Sequence, residues 1–183
     1  MLNKKDTKQI LIESLIQLSR SKPIEKISVS SIVRNCGAGR QTFYNYFHDK
    51  YDLINTFYFN NANRIFAEYM DTEPWNITIG RVVSFMIENR ALFKNALLEE
   101  GRTTFFTAFY DHTKNYYINY IRTTYGDKEL TEDLLFDIRF NCHGAVHMVK
   151  DWLERNMTDP PEILSARIAN AMPKAMKKYF RWN

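Results

Sequence analysis

An all-α fold is what this sequence predicts, and three observations carry the prediction. Apolar residues recur at helical spacing from one end of the 183-residue chain to the other. No stretch alternates apolar and polar residues in the manner of a strand, and no internal repeat or low-complexity tract interrupts the pattern. The residues that punctuate helices, Pro23, Gly37, Gly39, Pro74, Gly126 and the pair Pro160 and Pro161, fall between the periodic stretches.

Taken in order, a first helix begins after Asp6, which can cap it while Gln9 returns the bond. Ile10, Leu11, Leu15 and Leu18 form its stripe, and it stops around Ser21 ahead of Pro23. A short helix opens near Ser28, a tight turn spans Cys36 to Gly39, and a second short helix runs from Arg40 to Phe47. Val29, Ile32, Val33, Ala38, Phe43 and Phe47 fall where two crossing helices bury one shared face, which is the pattern of a helix-turn-helix. Arg40, Gln41, Tyr44 and Asn45 are left on the solvent side, and such side chains hydrogen-bond bases and phosphates. Gly37 can take the positive φ of a sharp reversal, and Gly39 leaves the next helix an unobstructed start.

Asp49 caps a long helix to about Met70, with Leu53, Ile54, Phe57, Phe66 and Ala67 as candidate buried positions. No Gly/Ser tether separates it from the helix-turn-helix. After a break at Thr72 to Pro74, helices are expected at 75–88, 90–98, 102–125, 131–156 and 161–180, the last kinked or split by Pro173. The organisation is then a DNA-binding domain over 1–49 and an all-helical effector-binding and dimerisation domain over 50–183.

Charge follows the same division. Residues 1–50 hold nine Lys or Arg against four Asp or Glu, a net of +5, and the remainder nets −1. The excess positive charge thus belongs to the helix-turn-helix segment, as expected of the part that meets a polyanion. Of the 27 aromatic residues 23 lie after residue 50, a richness that suits a cavity for a flat or apolar small molecule. Phe85, Tyr110, Tyr117, Phe140, His143 and His147 are its candidate lining. Ile168, Ala169, Met172 and Met176 make the last long helix small and apolar over more than one stripe, a surface for a second subunit.

No window approaches eighteen consecutive apolar residues and no apolar run follows the N-terminal lysines, so neither a membrane span nor a signal peptide is expected. Cys36 and Cys142 lack metal-ligand spacing and suit a reducing, cytoplasmic compartment. His143, His147 and Asp151 at i, i+4 and i+8 could share one helix face and offer ligands to Zn²⁺ or Fe²⁺. No second ligand helix can be identified, so neither a metal, a cofactor nor a catalytic site is assigned.

The run from Ser28 to Leu53, S-V-S-S-I-V-R-N-C-G-A-G-R-Q-T-F-Y-N-Y-F-H-D-K-Y-D-L, resembles the TetR (TetR/AcrR) family of bacterial transcription regulators. The resemblance implies that Thr42, Tyr44 and Lys50 grip phosphates, with the helix ends at Ser28 and Gly39, while Arg40, Gln41 and Asn45 face the groove. Gly39 departs from the usual capping Ser or Thr, and Gln41 from a small residue. The run F-N-C-H-G-A-V-H-M-V-K-D-W-L-E-R-N in the C-terminal half more weakly resembles regulators of dihydroxyacetone kinase operons. The family implies a homodimer through the last two helices, a small-molecule effector pocket in each subunit, and most often a repressor on a palindromic double-stranded DNA operator. A metal sensor using His143 and His147, or a co-regulator acting through another protein, are the alternatives.

Overall fold

The computed structural model describes residues 4–98 and 105–182, and every regular element among them is a helix. The first, α1 (Lys4–Ser19), begins ahead of Asp6, which therefore falls inside its first turn and not at the capping position expected. Gln9 donates to Glu13 at 2.9 Å, one turn on. A short 3₁₀ turn at Ile24–Lys26 leads to α2 (Val29–Cys36). Here the caps are local and strong. Ser28 Oγ accepts from the Ser31 amide at 3.1 Å while Ser31 Oγ accepts from the Ser28 amide at 3.0 Å, a capping box made by two serines. Gly37 ends α2 in the left-handed region at φ 71°, which lets the Ala38 amide reach back to the Val33 carbonyl at 2.9 Å.

The next helix, α3 (Arg40–Tyr44), is shorter than the Arg40 to Phe47 span expected, although one further helical bond, Phe47 amide to Phe43 carbonyl at 3.0 Å, carries the turn to Phe47. Across this unit Leu11, Leu15, Ile24, Ile32, Phe43 and Phe47 are almost wholly buried. Ser14, buried on α1, donates to the Ile32 carbonyl at 2.7 Å and accepts from Asn35 at 3.1 Å, pinning α1 across α2.

Asp49 caps α4 (Lys50–Tyr69) by accepting from the Tyr51 and Asp52 amides, both at 2.8 Å. The buried face of α4 is Leu53, Ile54, Tyr58, Ala62 and Ile65. Phe57 and Phe66 are only half-buried and Ala67 is exposed, because the packed stripe drifts around the helix as it passes from the first three helices to the bundle beyond.

That bundle comprises α5 (Trp75–Glu88), α6 (Arg90–Leu98), α7 (Phe105–Tyr125), α8 (Glu132–Glu154), α9 (Pro161–Ala171) and α10 (Lys174–Lys177). The expected start of the third of the later helices at residue 102 lies outside the described residues. Thr131 caps α8, and Pro173 divides the last helix as expected: the residue before it, Met172, takes ψ 133° and ends α9. One apolar core runs from Leu11 through Leu53, Leu92 and Phe93 to Val146 and Ile168. The helix-turn-helix therefore packs directly on the bundle. A second cluster at the far end gathers Trp75, Tyr117, Ile138, Met176 and Phe180.

Candidate nucleic-acid interface and effector cavity

Phe43 decides which way α3 faces. Its ring is fully buried against Phe47, with centroids 5.6 Å apart, so the helix can turn only its other side outward. Arg40, Gln41, Tyr44 and Asn45 occupy that side, all exposed, and Thr42 is half-buried. Gln41 Nε2 donates to Asn45 Oδ1 at 3.2 Å, which aligns the two amides one turn apart. The Gly39 start of α3 has no capping side chain. Ser28 is exposed, but its hydroxyl serves the capping box of α2.

Lys50 is placed differently from the rest. It is half-buried, its ammonium donating to the Ile24 carbonyl at 2.6 Å and the Glu25 carbonyl at 3.3 Å. It thereby fastens the start of α4 to the connection between α1 and α2. Lys8, which motif reading misses because it belongs to α1, comes over the Phe47 ring at 5.6 Å and adds positive charge beside the end of α3.

The interior cavity lies among α4, α5, α7, α8 and α9 and measures about 60 Å³. Its walls include Phe66, Trp75, Val83, Met86, Tyr116 and Tyr117. Of the six sequence-derived lining candidates, Tyr117 alone borders it. Phe85 packs between Phe57 and Phe93, at 5.3 and 5.5 Å between centroids. Tyr110 stacks on His143 at 4.2 Å. Phe140 is 69% exposed, and His143 and His147 are also on the surface. The reason is the phase of α8: its inner face is Ile138, Cys142, Val146, Val149 and Leu153, which rotates 140, 143 and 147 away from the cavity.

The dimer candidates are corrected in the opposite sense. Ile168, Ala169, Met172 and Met176 are buried in their own chain. Small residues do bring helices together here, but the helices are α5 and α9 of one subunit: a Cβ on Gly80 would stand 3.2 Å from Ser165 Oγ. The large apolar side chains left outside on α8 and α9 are Phe136, Phe140 and Met148 on the first and Ile163 on the second.

His147 Nδ1–H donates to the His143 carbonyl at 2.8 Å, and among the described residues no three His, Cys, Asp or Glu side chains come together to hold a metal ion. Burial pushes the Cys142 thiol up to about 12. His112 is the group with a consequence for pH. Its ring stacks on Phe59 at 4.3 Å with Nε2 and Asn63 Oδ1 2.9 Å apart, and burial lowers it from the ordinary 6.5 to about 4. The unfolded chain takes up this proton first, so the stability due to neutral His112 is complete above pH 6.5 and is lost as pH falls toward 4. We expect urea unfolding of the wild type to lose about 1–2 kcal/mol between pH 7 and pH 5. His112→Phe should lack that loss; an equal loss in the variant would place the titration elsewhere.

A helix-turn-helix with an exposed polar recognition face, built onto a helical bundle, defines a DNA-binding transcription regulator. Residues 73–174 match a TetR-type family model described as a transcriptional regulator C-terminal region. The chain belongs to the TetR family of transcriptional regulators. It is 26% identical over 88 residues to the HTH-type dhaKLM operon transcriptional activator DhaS of Lactococcus lactis subsp. lactis (strain IL1403). That alignment covers 48% of this chain and 47% of the relative, so the match spans about half of that protein's length. Among solved structures, a dihydroxyacetone kinase operon activator DhaS shares the fold with a TM-score of 0.67 at 20% identity, over 96% of this chain and 98% of that one. A TetR transcriptional regulator from Streptococcus agalactiae 2603V does so at 0.63 and 18%, over 97% and 96%. FadR from Bacillus subtilis, in complex with stearoyl-CoA, does so at 0.55 and 14%, over 91% and 98%. No helix among the described residues is long and apolar enough to cross a membrane.

Proposed function

We propose that this protein is a cytoplasmic, ligand-responsive repressor that binds a palindromic operator as a homodimer. The observation that supports it most is the outward face of α3, where Arg40, Gln41, Tyr44 and Asn45 stand clear of the core that Phe43 anchors. In this reading two copies of α3 enter successive major grooves about 34 Å apart. Arg40 favours guanine and Gln41 or Asn45 adenine, and Thr42 and Tyr44 hold phosphates. Lys50 acts on the DNA through the register of α4, or releases its carbonyls to reach a phosphate on binding.

The second copy docks on the outer face of α8 and α9. Phe136, Phe140, Gly144 and Met148 repeat every four residues along α8, and nothing lies within 4 Å of where a Cβ on Gly144 would be, so a partner helix can approach closely. The effector acts through α4, which starts at the helix-turn-helix and contributes Tyr58 and Phe66 to the cavity wall. A ligand that shifts those rings tilts the helix to which the recognition unit is fixed.

Repression is the simplest outcome of operator occupancy. The relatives named DhaS are activators by name, so the sign is read from reporter transcription with and without the protein. DNA recognition itself is tested by gel shift at low salt. Arg40→Ala should weaken specific binding about tenfold to a hundredfold, and Tyr44→Phe by less. Unchanged binding in both variants would remove α3 as the reading helix.

A further inference from the structure

Two lysines stand near the C-terminal end of α3, and they are held in opposite ways. Lys50, three residues beyond Phe47, donates to the Ile24 carbonyl at 2.6 Å and the Glu25 carbonyl at 3.3 Å. Its ammonium is drawn back to the connection between α1 and α2, and leaving for a phosphate would take a charged donor from both carbonyls. Lys8, in the second turn of α1, lies 5.6 Å over the Phe47 ring. Its stem helps to bury that ring, which is 1% exposed, but Leu or Met would cover it equally well, so packing does not account for the charge. The positions one turn from Lys8 along α1 are Lys4, Lys5, Leu11 and Ile12, none of them a carboxylate. Of the acids that follow Phe47, Asp49 accepts from the Tyr51 and Asp52 amides and Asp52 accepts from the His48 amide. Among the described residues Lys8 forms no ion pair.

We propose that Lys8 binds the DNA phosphate flanking the C-terminal end of α3, and that Lys50 stays on the Ile24 and Glu25 carbonyls in the complex as a positioning residue for α4. The inference rests on the DNA-reading function proposed above and assigns one of its backbone contacts to a helix outside the motif. Tyr44, 47% exposed on the reading face, and Phe47 are three residues apart, so the Lys8 ammonium stands about one turn past that face. The C-terminal end of a recognition helix in the major groove meets the backbone that borders the groove. A lysine suits that place, because a compact charge on a flexible stem needs only one phosphate oxygen and carries no base preference. The Lys8 stem is already laid on Phe47, so less rotamer freedom is lost when the phosphate is met.

Counter-ion release separates the two lysines. Full-length protein is titrated, by fluorescence anisotropy, onto a labelled duplex of about 30 base pairs carrying the sequence that the wild type selects from a randomised pool, between about 50 and 300 mM KCl. Lys8→Gln should make the slope of log K against log salt shallower by about 2, one phosphate per subunit, and weaken binding about tenfold to a hundredfold at the low-salt end. Lys8→Arg should restore the slope. The preference of Lys8→Gln for the selected duplex over single base-pair variants of it should stay within about threefold of the wild type. Lys50→Met should weaken binding yet keep the wild-type slope to within about 0.5, because the clasp on α4 is lost and no phosphate contact is. Lys50→Gln replaces it if the methionine variant does not fold. An unchanged slope in Lys8→Gln overturns the assignment. A shallower slope in the Lys50 variant also overturns it, since the phosphate then belongs to the motif lysine. Arg40→Ala tells this failure from a wider one: if it abolishes the preference among duplexes while Lys8→Gln keeps the slope, the lysine assignment alone falls. A wild type that selects no sequence overturns the DNA reading and this inference with it.

Discussion

Phe140→Glu combined with Phe136→Glu yields a folded monomer whose operator affinity falls about a hundredfold or more. Both rings are exposed in the single chain, at 69% and 61%, so their replacement removes nothing from its own core and thermal stability at fixed monomer state should change by less than about 0.5 kcal/mol. In a two-fold interface the same patch meets itself, so each glutamate opposes its symmetry mate in a desolvated seam and repulsion adds to the lost apolar contact. Once the dimer is lost, each recognition helix binds a half-site alone and the gain from linked binding disappears. Sedimentation velocity and operator titration measure the two parts. A double variant that remains dimeric would move the interface off α8.

Phe43→Ala is expected to destabilise the protein by about 3–5 kcal/mol. The ring is wholly buried and ties α3 to the rest of the helix-turn-helix, and no neighbouring side chain can fill its place without leaving another void. Because the core continues from Leu11 through Leu53 to Phe93, the loss is felt beyond the first three helices, and a single urea transition should shift as a whole. A shift worth less than about 1 kcal/mol would mean that α3 is held by something other than Phe43.

The helix-turn-helix was legible in the sequence because the devices that make it are local. Ser28, Gly37 and Asp49 each act within four residues of themselves, and the alternation of Phe43 and Phe47 with polar neighbours sets the outward face of α3 without reference to anything distant. The bundle was legible only as helices. Whether an apolar residue faces its own core or another surface depends on the rotation of one helix against several partners, which spacing does not specify. Thus Ile168, Ala169, Met172 and Met176 look like an interface but go inside, where the Gly80 to Ser165 approach lets α5 take that place. Phe140 and His147 look like pocket residues but point outward, because the inner face of α8 is already filled by Ile138, Cys142 and Val146. Lys50 shows the same limit at close range: its motif position implies a phosphate, while its ammonium is bonded to the Ile24 and Glu25 carbonyls.

The central claim is that paired α3 helices read DNA, and footprinting of the purified protein on genomic DNA tests it most directly. The account predicts protection of a two-fold symmetric sequence with half-site centres one helical turn, or a multiple of it, apart, and loss of that protection with Arg40→Ala. Protection that lacks two-fold symmetry, or that persists unchanged in Arg40→Ala, would contradict it.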